Sequence, residues 1–278
     1  ISCSTVLPEN FLVGSKLIAS ATGNLVGEIL HHDIRSGKCQ LRRAADHQLC
    51  SGELLELDFG MEAPVLAARL ITETSPERPL PRTAFHLATT KSTNALLERK
   101  GDPTAFVVTK GFKDLLRIGD QRRPDLFALN IDQADPLHDL VFEFDERMDA
   151  HGDVLKPFDD EAFHQLSDAL LQAGFTTVAI AFLHAVQNSE HERKARKILQ
   201  GKGIRHISCS SELAPFVKIL PRAETSVVNA YLTPLMERYL DGVETALSGG
   251  DFRIMTSAGG FVSRRDYRAK DSLFSGPA

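Results

Sequence analysis

Residues 88–101 read ATTKSTNALLERKG and place Thr89, Thr90, Ser92, Thr93 and Asn94 at one strand-to-helix corner. Each hydroxyl can donate one hydrogen bond, and an asparagine amide can both donate and accept. A helix N-terminus also leaves backbone N–H groups free for an anion or a polarised carbonyl. Two readings are open: Ser92 or Thr93 caps the helix and the others satisfy the backbone, or the corner faces a ligand rich in oxygen. Residues 255–263, MTSAGGFVS, form a second corner. There Ser257, Gly259 and Gly260 suit either close approach to a ligand or a tight turn. The closing SGPA is a third.

Residues 117–127, RIGDQRRPDLF, gather Arg117, Gln121, Arg122, Arg123 and Asp125 in a long irregular segment. Arginine suits bidentate carboxylate recognition, so a small anionic substrate is one guest for this loop and a solvated salt-bridged loop is the rival. None of these residues has the character of a nucleophile, and no catalytic residue is assigned. H-E-x-x-H, P-loop, G-x-S-x-G and G-x-G-x-x-G motifs do not occur. Adjacent His31 and His32 point to opposite faces of a strand and make a poor chelate. His184 and His191 read as surface histidines, so no metal site is expected.

The elements that must position these groups alternate. Residues 1–60 read as short strands and turns, a β-rich segment with no helix. MEAPVLAARLIT is a helix whose apolar positions are Val65, Leu66, Ala68 and Leu70, stopped by the prolines of SPERPLPR. From residue 84 onward strand and helix take turns. AFHLAT is a strand and STNALLERK a helix ending at Gly101 in the left-handed conformation. TAFVVT and TTVAIAFL are strands buried on both faces. LVFEFDERM with the turn AHGDV is a hairpin, and DDEAFHQLSDALLQAG a helix with Phe163, Leu166 and Leu170 on one side. SEHERKARKILQGKG is a charged surface helix and RHISCS a strand. A long helix spans about 224–247, bent at Pro234, and FRIMTSAGG is a last strand. The fold class expected is α/β, a mixed or largely parallel sheet flanked by helices, with a small β-rich N-terminal segment.

Composition bounds the function. The chain has 278 residues, 42% hydrophobic and 25% charged, with a net charge of −5. That balance recommends neither a nucleic-acid nor a membrane partner. Apolar runs are too short to span a bilayer. Cys3, Cys39, Cys50 and Cys209 are spaced unlike a zinc or redox pair. Reduced thiols in a cytoplasmic protein are expected. A chain that starts at Ile1 and stops within SGPA is expected to be a fragment of a longer one.

Several of these stretches, in order, resemble one family. TTKSTNALLERKG, VVTKGFKDLLRIGDQRRPDLF, DERMDAHGDVLKP, AIAFLHAVQNSEHE, LPRAETSVVNAYLTP, SAGGFVS and SGPA are similar to the hydantoinase A/5-oxoprolinase family. The resemblance covers residues 61–278, which it marks as a hydantoinase/oxoprolinase-type α/β domain truncated at both ends, and leaves 1–60 unassigned. It implies part of an actin-like ATPase (ribonuclease H-like) lobe in an ATP- and Mg-dependent hydrolase. Such enzymes phosphorylate the oxygen of a cyclic amide, such as 5-oxoproline or a hydantoin, so that water can open the ring. A hydantoinase B-type subunit or region is the implied partner, with a possible homo-oligomer. Alternatives are an ATP-dependent ketone carboxylase subunit of the same family and a non-catalytic assembly domain. Carried over, the resemblance turns Thr89, Thr90, Thr93 and Asn94 toward nucleotide or substrate. It gives Arg117, Gln121, Arg123 and Asp125 to substrate positioning and makes Ser257, Gly259 and Gly260 a neighbouring cleft turn.

The family's Asp-x-Gly-Gly-Thr phosphate loops are missing, since no Gly-Gly-Thr occurs in the chain. The 278-residue chain by itself is therefore predicted to bind MgATP poorly or not at all. Isothermal titration calorimetry checks this, and tight binding would refute it.

Overall fold

The computed structural model describes residues 7, 10–33, 35–43, 51–120, 134–247 and 249–276. The chain divides into two compact units, Ile1–Leu87 with Arg238–Ile254, and Ala88–Glu237 with Met255–Ala278.

In the smaller unit, β1 (Lys16–Ala19), β2 (Leu25–Asp33), β3 (Lys38–Arg43) and β4 (Leu55–Asp58) form an antiparallel sheet in the order β3-β2-β1-β4. Among the described residues no helix precedes residue 60, in agreement with the turn-rich sequence. Phe11, Leu12, Leu17, Ala19, Val26 and Ile29 make the core of this sheet, with Phe59 edge-on to Phe11 at 5.6 Å. His31 is exposed and His32 buried, on opposite faces as the strand period requires.

Helix α1 (Ala63–Ile71) follows with Pro64 in its first turn, where the missing N–H costs nothing. Its stripe differs from the expected one. Leu70 is exposed, and the inward positions are Val65 and Arg69. The Arg69 guanidinium donates to the carbonyls of Ser75 and Arg78, both at 2.8 Å, so a cation holds the proline segment against its own helix. The helix stops before any of those prolines, because Glu73 turns into the left-handed region at φ 51°. Strand β5 (Ala84–Leu87) then lies parallel to the later β12 (Asp251–Met255), pairing Ala84 with Asp251 and Leu87 with Ile254.

The larger unit is built on a parallel sheet in the order β11-β10-β6-β7. Its strands are β6 (Ala105–Thr109), β7 (Leu140–Phe144), β10 (Thr177–Ala181) and β11 (His206–Cys209). All residues of β6 and β10 are buried, as their unbroken apolar runs demand of strands covered on both faces. Ala105, Val107, Val178 and Ile180 share one core with Phe163, Leu170, Ala195 and Leu199. Those last four come from α4 (Asp160–Gln172) and α5 (Glu190–Gly201). Phe106, Val108, Ala179 and Ala181 meet Ala223, Val227 and Ala230 of α7 (Ile219–Ala246) in the other core. Helix α4 is capped by the Asp159 carboxylate, which accepts the Ala162 N–H. Gly174 ends it at φ 83°.

Three expectations in this unit need correction. The expected hairpin about AHGDV forms only from the end of LVFEFDERM, as β8 (Arg147–Met148) with β9 (Val154–Lys156), while LVFEF is β7 and pairs in parallel with β6. The break falls at Asp145 and Glu146, where the Glu146 side chain turns into the interior. Helix α5 keeps the expected charged outer face, with Arg193 and Lys197 exposed, but it also buries two charge-bearing residue types, since His191, Glu192, Ala195 and Leu199 face inward. Helix α7 begins at Ile219, earlier than the expected start, and passes through Pro234.

A further correction concerns the end of α2 (Lys91–Leu97). The residue in the left-handed region is Arg99, at φ 52°, and not Gly101. Gly101 is needed for a different reason: a Cβ there would overlap the Tyr231 ring. Gly101→Ala is predicted to destabilise the unit by about 1–3 kcal/mol through overpacking, read as a lower denaturation midpoint. An unchanged midpoint would show that Tyr231 moves aside freely.

Candidate functional site

Two of the polar corners singled out in the sequence converge on one short segment, residues 271–276, in which the third begins. The 3₁₀ turn Ala269–Ser272 delivers this segment. From the first corner, Thr89 offers its carbonyl to Ser275 Oγ at 3.0 Å, Ser92 Oγ meets Ser272 Oγ at 2.7 Å, and Thr93 Oγ1 donates to the Leu273 carbonyl. From the second, Ser257 Oγ donates to the Asp271 carbonyl at 2.7 Å and accepts the Phe274 N–H at 3.0 Å. Neither open reading of the first corner holds for all its members. Ser92 and Thr93 do not cap α2, whose N-cap Thr90 makes no side-chain cap bond. Thr89 Oγ1 instead accepts the Lys91 N–H at 3.1 Å in a local turn. Ser92 and Thr93 are fasteners, while Thr90 and Asn94, one turn apart on α2, are exposed.

Gly259 adopts φ 79°, and the turn is closed by Thr256 N–H on the Gly260 carbonyl at 2.8 Å. Both glycines are exposed, with Ser257 committed to the 271–274 backbone. Arg117 is exposed on the short helix Leu115–Ile118 and takes no part in the bonds that join these corners. Gln121, Arg123 and Asp125 lie outside the described residues.

A second polar assembly escaped sequence reading. It sits at the carboxyl ends of β6, β10 and β11, where open parallel sheets bind ligands. The Glu192 carboxylate accepts the N–H groups of Phe182 (3.0 Å) and Ser211 (2.9 Å) and the hydroxyls of Ser210 and Ser211, each at 2.6 Å. Arg222 stands 3.7 Å from Glu192 and donates to Ser210 Oγ and to the Phe182 carbonyl. Both side chains are fully buried. Burial pulls the Arg222 guanidinium below its ordinary range, and the Glu192 charge opposes that shift. Beside them, Glu146 accepts from Thr109 Oγ1 and bonds His191 Nδ1 at 2.6 Å, both Glu146 and His191 being almost wholly buried. His191 is therefore a core residue, contrary to the surface reading. Burial also pushes the neighbouring Cys209 thiol well up, which keeps it an inert core group. The signal that could have revealed Glu192 was periodic, since 192, 195 and 199 form one inward stripe of α5.

This geometry belongs to a recognisable fold. The chain is similar to the ATP-dependent caprolactamase of Pseudomonas jessenii, with a TM-score of 0.65 and 24% identity over 94% of this chain and 38% of that one. It is similar to an acetone carboxylase in its nucleotide-free structure, with a TM-score of 0.62 and 22% identity over 70% of this chain and 30% of that one. The hydantoinase/oxoprolinase N-terminal region pattern matches residues 66–203, and the hydantoinase/oxoprolinase pattern matches 222–278. The chain belongs to the hydantoinase/oxoprolinase family. It is 36% identical to 5-oxoprolinase of Saccharomyces cerevisiae and to 5-oxoprolinase 1 of Arabidopsis thaliana, each match covering 78% of this chain. It spans 20% of the length of each of those relatives. The caprolactamase subunit alpha of Pseudomonas jessenii is 30% identical over 68% of this chain and 29% of that protein. Among the described residues, no helix is long and apolar enough to cross a membrane.

The buried assembly generates a test. Glu192→Ala leaves the Arg222 charge uncompensated and should cost about 3–5 kcal/mol, because a buried ion that loses its partner retains its full desolvation penalty. Chemical denaturation measures it, and a loss below about 1 kcal/mol would show that water enters to replace the carboxylate.

Proposed function

We propose that the intact protein is an ATP-dependent hydrolase of cyclic amides, of the 5-oxoprolinase or hydantoinase type, working in the cytoplasm. In this reading the present chain supplies one wall of its cleft. The observation that carries it is the match to two 5-oxoprolinases combined with the convergence of two polar corners on residues 271–276. Thr90 and Asn94 then face substrate or nucleotide, with Gly259 and Gly260 beside them. Arg117, together with Gln121, Arg123 and Asp125, positions an anionic ring substrate through its carboxylate.

The corners do not by themselves make an ATP site in this reading. Ser92, Thr93 and Ser257 spend their hydroxyls on the protein's own backbone and side chains. With those hydroxyls engaged, we assign the gripping of ATP and Mg²⁺ to groups other than these three side chains. A B-type subunit or region is proposed to complete the ring-opening machinery. An assembly divided into subunits has a parallel in the caprolactamase, whose similar chain is called subunit alpha. The carboxylase alternative rests on fold likeness alone.

Phosphate release from ATP by the intact protein with its B-type partner tests this, run with 5-oxoproline, with hydantoin, and with a ketone plus bicarbonate. Stimulation by a cyclic amide is expected. Stimulation by the ketone alone would move the protein to the carboxylase branch, and none with any substrate would favour the non-catalytic reading. In the same assay Asn94→Ala, an exposed change, should lower turnover about tenfold with the melting midpoint unaltered. Wild-type turnover would remove Asn94 from the site.

A further inference from the structure

We propose that Ser272 is a positioning residue for the cleft wall, its hydroxyl setting where Thr90 and Asn94 stand. The proposal rests on the reading of that corner given above. Ser272 Oγ has three partners: the Ala269 carbonyl at 3.0 Å, Ser92 Oγ at 2.7 Å and Tyr267 OH at 2.6 Å. A serine hydroxyl owns one proton and two lone pairs. A carbonyl can only accept, so the Ser272 proton goes to Ala269, and both Ser92 and Tyr267 must donate into Ser272. With these three bonds made, the capacity of the Ser272 hydroxyl is full. Ser92 and Ser272 are completely buried, and Tyr267 is nearly so.

The hub lies between the sheet and the exposed corner. Ser92 sits on the first turn of α2, between Thr90 and Asn94 in sequence. Ser275 ties the same segment to the Thr89 carbonyl. A Cβ on Gly276 would overlap the Thr90 methyl group, so the backbone there touches Thr90 directly. On the other side, Asn229 of α7 accepts the Lys270 N–H at 3.2 Å and donates to Ser208 Oγ of β11 at 2.9 Å. A continuous polar path thus runs from the parallel sheet through α7 and Ser272 to the corner. A neutral hydrogen bond contributes only about 1 kcal/mol net to stability, so a purely structural hub would register as a small loss of midpoint with normal kinetics.

The test uses the intact protein with Ser272→Ala and Tyr267→Phe. Displacing a group whose loss lowers turnover should lower kcat and kcat/KM together. For both variants kcat for the cyclic amide should fall about fivefold with KM within about twofold. Hydrogen exchange should quicken over residues 89–94 and remain unchanged in β6 and β10. A lowered midpoint with wild-type kcat and unchanged exchange would overturn the proposal. Should Ser272→Ala fail to fold, Tyr267→Phe, which deletes one donor and keeps the ring, decides by the same readings. If the wild-type protein shows no amide-stimulated phosphate release, the functional reading falls. Exchange over 89–94 in the variants then decides the positioning role: quickened exchange keeps it and unchanged exchange removes it.

Discussion

A charge buried away from water must find its hydration shell inside the protein, and much of the larger unit is arranged around meeting that demand for Glu192 and Arg222. Moving an unpaired carboxylate into an apolar interior costs several kcal/mol even after relaxation. Here two backbone N–H groups, two hydroxyls and a guanidinium take the place of water. The donors come from the end of β10, from the short helix α6 (Ser210–Leu213) after β11 and from the first part of α7, and the acceptor comes from α5. Four elements that hydrophobic contact alone would let slide are held in one register. A network of this kind fixes the arrangement more than it adds stability, since a well-packed apolar replacement is often as stable.

The location of that network bears on function. The carboxyl ends of β6 and β10, with β7 on one side and β11 on the other, are where a doubly wound sheet leaves a crevice for ligands. In this protein Glu146, His191, Glu192 and Arg222 lie buried beside those strand ends. Exposed polar groups stand at the first turn of α2 and the glycine turn at 259–260. There the polar side chains divide into two kinds. Ser92, Thr93, Ser257 and Ser272 are consumed inside the protein, and Thr90 and Asn94 remain turned outward. A family member that spans a fifth of its relatives' length can still hold these polar corners in place, because the bonds that fasten them lie within it.

Most of the elements were legible in the amino-acid sequence because their signals are local. Unbroken apolar runs marked β6 and β10, and the stripe of Phe163, Leu166 and Leu170 marked α4. Turn residues before residue 60 argued against helix there. The order of polar corners was equally visible, enough to suggest the family. What misled was side-chain fate. His191 and Glu192 lie in a run of charges that reads as solvated, Arg69 in a stripe that should have been closed by Leu70, and Gly101 at a helix end that suggested a left-handed stop.

Those fates depend on partners far away along the chain. Whether Glu192 faces water is decided by Ser210, Ser211 and Arg222, and whether Ser92 caps a helix or fastens a segment is decided by Ser272, 180 residues later. Gly101 is required by the Tyr231 ring from another helix. Local propensity and periodicity are properties of neighbouring residues, so the order of amino acids was enough to specify most strands and helices and the α/β class. Burial of a polar group depends instead on which donors the fold brings within about 3 Å of it. The buried charge network and the identity of the outward-facing residues therefore emerged only once the chain had packed.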